Sequence, residues 1–120
     1  MLQDSLLKIK EKFTHPECYE IGKLIELLSK YDSGQYIYPG VLKSFLDINL
    51  TCSYNILKNI EELGLIEKVF FIQCFECKHV YRNKFKSLNE AITSYSYCEN
   101  CDEIIDFNSI QLIYMVNDDA

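Results

Sequence analysis

The stretch LKSFLDINLTCSYNILKNIEELGLIEKV, residues 42–69, reads as the end of one helix, a turn, a second helix and the start of a strand. Val41, Leu42, Phe45 and Leu46 recur at helical spacing, and residues 47–50 supply the turn. Thr51 stands where a side chain is expected to cap the next helix. Within that helix Ile56, Leu57, Ile60 and Leu63 fall on one side. A wheel at about 100° per residue gathers Ser53, Ile56, Leu57 and Ile60 inward and leaves Thr51, Asn55, Lys58, Asn59 and Glu62 on the opposite face. Gly64 supplies the left-handed conformation that ends a helix, so residues 65–73 are expected to continue as a strand.

Toward the amino end the pattern stays helical. Residues 4–13 place Leu6, Leu7, Ile9 and Phe13 among charged side chains, which predicts a short amphipathic helix whose apolar face packs on the rest of the chain or on a second copy. Thr14-His15-Pro16-Glu17 has the form of a capping box with proline early in the first turn. It predicts a second helix running to about Tyr31, with Cys18, Ile21, Leu24, Ile25 and Leu28 on its buried face. Ser33-Gly34 ends that helix, residues 35–38 read as a short strand, and Pro39 opens the helix that reaches Leu46.

Toward the carboxyl end the chemistry changes. QCFECKHVY and SYCENCDEI carry two Cys-x-x-Cys pairs, Cys74/Cys77 and Cys98/Cys101, and the spacer, residues 78–97, reaches the upper edge of the ~15–20 residues of zinc-binding patterns. Two residues between cysteines let a tight turn aim both sulfurs at one ion, and two such turns complete a tetrahedral set of four. Zinc, and less often iron, takes that geometry. Four thiolates fill the shell of zinc and leave no open position for water, so the expectation is one structural Zn2+ with Cys18 and Cys52 uninvolved. His79, beside the first pair, is the alternative ligand. Residues 79–85, 103–106 and 110–116 read as extended, with Asp106-Phe107-Asn108-Ser109 as the turn between the last two. Ser87-Leu88-Asn89-Glu90 forms another capping box, opening a short helix.

Composition narrows the function classes. The chain has 120 residues, 48% of them hydrophobic and 25% charged, enough for one core with a metal-held annex and unlike disordered or fibrous sequences. No apolar run approaches the ~18 residues that cross a bilayer, and the first residues mix both charge signs where a signal peptide would be apolar. The expected setting is therefore cytoplasmic, where disulfides are disfavoured and Cys-x-x-Cys pairs bind metal. A net charge of −6 weakens non-specific attraction to nucleic acid. The densest basic cluster is Lys78, His79, Arg82, Lys84 and Lys86, interleaved with Tyr81 and Phe85. Strand alternation would put Arg82, Lys84 and Lys86 on one face, able to meet phosphates beside an aromatic ring, or simply to balance a negative metal centre. No Ser/His/Asp, paired-carboxylate or phosphate-loop arrangement is visible, so an enzyme and a small-molecule substrate are not expected.

Residues 42–69, with Leu57, Ile60, Gly64, Leu65 and Ile66 at the end of the second helix, resemble the winged helix-turn-helix domain over roughly residues 17–73. The resemblance implies that the exposed face of that helix, Thr51, Asn55, Lys58 and Asn59, would read double-stranded DNA. The zinc lobe would replace or cap the basic wing tip. Residues 73–116 resemble a zinc ribbon. The order winged helix then zinc ribbon is similar to the α subunit of transcription factor E, an adaptor at initiation complexes, and to small accessory proteins of bacterial conflict systems.

The expected fold is therefore α+β, a winged helix-turn-helix over residues 1–73 followed by a zinc-ribbon-like β lobe over residues 74–120. The expected function is a non-enzymatic, transcription-regulator-like DNA-binding protein or an adaptor in a nucleic-acid-associated complex. A purely protein-binding accessory subunit, for example in anti-phage defence, is the alternative. The expected partner is another protein or a second copy of the chain, with Arg82, Lys84 and Lys86 as further nucleic-acid contacts and no membrane.

Overall fold

The computed structural model describes residues 1–13 and 19–120. Among them the fold is mixed α+β: helices α1 (Gln3–Lys12), α2 (Ile21–Leu28), α3 (Pro39–Leu46), α4 (Leu50–Glu62) and α5 (Leu88–Ser94), and strands β1 (Tyr36–Ile37), β2 (Ile66–Gln73), β3 (Val80–Phe85) and β4 (Ile110–Val116). The strands hydrogen-bond in the order β1-β4-β2-β3. The chain divides into two compact units, Met1–Glu67 with Tyr114–Ala120, and Lys68–Ile113. The division falls within β2 and again within β4.

In the first unit, helix periodicity becomes burial. Leu24, Leu28, Leu42, Leu57 and Ile60 are fully buried, as are Ile9 from α1 and Ile37 from β1. The apolar face of α1 thereby finds its partner inside the chain through Leu6 and Ile9, while Leu7 stays exposed. Helix α2 is shorter than predicted, beginning at Ile21 after an extended Glu20. The predicted capping box and Cys18 lie outside the described residues. Val41, one of the apolar set with Leu42, Phe45 and Leu46, is exposed on α3, whose buried stripe is Pro39, Leu42 and Leu46.

The second helix of the opening stretch is capped by Asn49, not Thr51: the Cys52 N–H donates to Asn49 Oδ1 at 2.8 Å. Asparagine is among the strongest N-cap residues, and its extended backbone precedes the first helical turn, so it wins over the later threonine. The inward face is as the wheel has it, with Ser53, Ile56, Leu57 and Ile60 buried. Ser53 Oγ–H is satisfied by Asn49 O at 3.2 Å. Gly64 takes φ +78 and its N–H donates to Glu61 O at 2.8 Å, closing the helix as predicted. Cys52, buried on α4, is disulfide-bonded, whereas the expected cytoplasmic setting disfavours disulfides.

Strand β4 is where the predicted ribbon and the structure part. Its end pairs antiparallel with β1, Tyr36 opposite Met115 and Ile37 opposite Tyr114. The Asn117 N–H donates to Leu65 O and its side-chain amide to Gly64 O, each at 2.9 Å. Residues 103–106 are not a ladder strand: they contribute one isolated bridge, Ile104 to Tyr97. Residues 106–109 form no hairpin turn. Asp106 caps a 3₁₀ turn, Phe107–Ser109, by accepting the Asn108 N–H at 2.9 Å. An aspartate followed by a short polar run favours such a local bond, which redirects the chain into β4.

In the second unit β2 and β3 pair antiparallel, Phe70 opposite Phe85 and Gln73 opposite Val80, with an irregularity between Phe71 and Gln73. Ser87 caps α5 as predicted, accepting the Glu90 N–H at 3.1 Å. The core here is small: Ile72, Cys74, Tyr81, Cys98 and Ile105, with Cys77, Phe85, Tyr95 and Cys101 packed against it.

Candidate metal centre

Each Cys-x-x-Cys pair folds into the same knuckle. In the first, the Cys74 N–H donates to His79 O at 2.9 Å, the Lys78 N–H returns to Cys74 O at 3.0 Å, and Lys78 takes φ +64. In the second, the Cys98 N–H donates to Glu103 O at 2.7 Å, the Asp102 N–H returns to Cys98 O at 2.9 Å, and Asp102 also takes φ +64. The ladders extend the parallel, since Gln73 faces Val80 as Tyr97 faces Ile104, one residue before each knuckle and six after its first cysteine. Non-glycine residues are uncommon in the left-handed region, so its appearance at matching positions shows that the two turns close in the same backbone conformation.

The knuckles bring together Cys74, Cys77, Cys98 and Cys101, whose sulfurs all lie within 4.8 Å of one another, close enough to hold one metal ion. Cys74 and Cys101 Sγ are 3.6 Å apart, and Cys77 and Cys98 Sγ 3.7 Å. A tetrahedral ion with metal–sulfur bonds of ~2.3 Å sets sulfur–sulfur edges near ~3.8 Å, so the donor set fits zinc in both chemistry and spacing. His79 is not a member of this cluster. Its ring stands edge-on to Tyr81, with centroids 4.8 Å apart.

Polar contacts favour the thiolate at Cys98 and Cys77. Cys98 Sγ accepts from the Tyr81 hydroxyl at 3.3 Å and from the Asn100 N–H at 3.4 Å. The Tyr81 bond, with lesser help from backbone N–H groups, outweighs burial and holds the Cys98 thiol down at about 6. The Asn100 side-chain amide donates to Cys77 Sγ at 3.4 Å, and this bond is the chief reason the Cys77 thiol is lowered. At Cys101 the backbone hydrogen bond at Glu103 also lowers, but burial and the sulfurs of Cys74, Cys77 and Cys98 together push its thiol up to about 12. Four sulfurs this close cannot all ionise without a cation to neutralise them.

From the sequence Tyr81 reads as an aromatic interleaved with basic residues. It is instead a buried part of the core around the four cysteines, 5% exposed, with Tyr95 stacked at a tilt 4.6 Å away. Burial, then the bond to Cys98, raises its own ionisation to about 12, so the hydroxyl keeps its proton and donates. Strand alternation could have placed Tyr81 inward with Ile72, opposite the exposed Arg82.

The other sequence-predicted residues fall into two sets. On α4, Thr51, Asn55 and Lys58 are exposed and Asn59 is half-buried, with the Asn59 amide donating back to Asn55 O at 2.9 Å. In the second unit Arg82 and Lys84 are exposed on β3, and Lys86 is exposed just past its end. The Lys84 ammonium lies 5.4 Å from the Phe71 ring centroid. Among the described residues no helix is long and apolar enough to cross a membrane. No family model, no curated protein and no solved structure matches this chain.

Proposed function

We propose that this chain is a non-enzymatic winged-helix and zinc-ribbon-like module that works in nucleic-acid transactions, as a DNA-binding regulator or as an adaptor in a nucleic-acid-associated complex. The observation that carries the winged-helix reading is the order α3, turn, α4, Gly64 stop and β2, together with the return of β4 beside β1 and of Asn117 to Leu65. The metal lobe then occupies the place of the wing, between β2 and β4.

The ion proposed is a single structural Zn2+ on Cys74, Cys77, Cys98 and Cys101. An all-sulfur tetrahedral set selects zinc or iron, and closed coordination gives structural support and not hydrolysis. On α4, Asn55 and Lys58 have side-chain chemistry suited to base edges and phosphate, and Arg82, Lys84 and Lys86 to phosphate.

A protein-binding role without DNA contact is the second reading, favoured by a net charge of −6 and by the exposed apolar side chains of the metal lobe. Titration of duplex and single-stranded DNA at low and moderate salt separates the two. Salt-sensitive binding weakened by Lys58→Ala and Arg82→Ala supports DNA contact. No binding at low salt, together with a stable protein complex indifferent to both substitutions, rejects it.

A further inference from the structure

The second knuckle displays its apolar side chains to solvent. Tyr97 and Ile104 are partners in an antiparallel bridge, which carries their side chains to one face, and they are 63% and 65% exposed. Ile104 also lines a groove with Phe75, itself 57% exposed, from the first knuckle. The rest of the groove wall is Glu76, Glu103, Asp106 and Asn108. Large apolar side chains grouped at the surface and rimmed by polar residues mark an interaction site.

We infer that this groove docks a cationic segment of a partner protein, one apolar side chain seated against Phe75 and Ile104 and flanking lysines or arginines facing Glu76, Glu103 and Asp106. Charge complementarity selects the occupant. Three carboxylates line the groove, and the four-cysteine cluster of the same unit, as thiolates, would stay net negative even with a divalent ion bound. Such a field repels phosphates and attracts ammonium or guanidinium groups. The chain already pairs a cation with this wall: the Lys78 ammonium lies 4.7 Å from the Phe75 ring centroid. At about 250 Å³ the groove falls below the ~300–1,000 Å³ of small-molecule sites, and it suits a side chain better than a cofactor. The inference deepens the adaptor role proposed above but does not need DNA contact, because groove and basic strand have opposite polarity.

The test is selection of a random phage-displayed peptide library on the zinc-loaded full chain, followed by fluorescence anisotropy with the enriched peptides. The expected peptides carry lysine or arginine on both sides of an apolar residue. Their affinity should fall about tenfold or more for Ile104→Ser and, separately, for Glu103→Lys, with Glu76→Lys as a further charge variant. All three positions are exposed, so zinc content should be unchanged and a folding defect would show as zinc loss. No enrichment, acidic or charge-indifferent peptides, or peptides that bind the zinc-loaded variants as well as the parent would overturn the inference. Duplex DNA titrated into the same variants reports separately on the nucleic-acid reading, since these substitutions should not weaken it.

Discussion

The Tyr81 hydroxyl donates to Cys98 Sγ at 3.3 Å while accepting the Glu99 N–H at 2.8 Å, so one phenol ties a strand to the turn that presents a sulfur. Contacts of this kind behind a ligand commonly set metal affinity by 10–100-fold. Tyr81→Phe should therefore keep the fold but weaken zinc by roughly 10–100-fold in a competition titration against a chromophoric chelator. The sign of the pH effect follows from the same bond. The hydroxyl lowers the Cys98 thiol to about 6, so its loss raises that value and zinc uptake should shift to higher pH. An unchanged uptake curve would show that the bond does not tune the site.

Elemental analysis of the purified chain should find about one zinc per molecule. The double substitution Cys74→Ser/Cys98→Ser removes one sulfur from each knuckle and should abolish that content. Full retention of zinc would contradict the assignment of these ligands.

Chelation should unfold mainly Lys68–Ile113, because its core consists largely of the ligand cysteines and the residues around them. Hydrogen exchange at the knuckle amides of Lys78 and Asp102 should accelerate, while amides of α4 stay protected. Loss of helical circular dichroism in the same step would show the two units to be a single cooperative one.

The helical unit offers a separate test. Leu57 and Ile60 are fully buried, so alanine at either should lower stability by about 2–5 kcal/mol in urea denaturation. Asn49→Ala removes the cap on α4 and should lower it by about 1 kcal/mol. Gly64→Ala forces a side chain into φ +78 and should also destabilise, through backbone strain and not contact, since nothing lies within 4 Å of the added carbon. Zinc content should be unaffected by Asn49→Ala.

What the sequence by itself determined is local. The inward face of α4, its glycine stop, the cap of α5 and the four-cysteine set were all legible, because each depends on residues a few positions apart. A Cys-x-x-Cys turn aims its two sulfurs by backbone geometry alone. What only tertiary structure decided is where long-range pairing and burial send the chain. Residues 110–116 read as a ribbon strand whichever neighbour they take, since alternation and β-propensity do not name a partner. Pairing with β1, some seventy-eight positions earlier at Ile37 and Tyr36, became visible only in the fold. Likewise Tyr81 and Tyr97 are the same residue type in the same lobe, yet one is buried against a ligand sulfur and the other faces solvent. Composition cannot separate them, because burial is a property of the packed surface and not of the side chain.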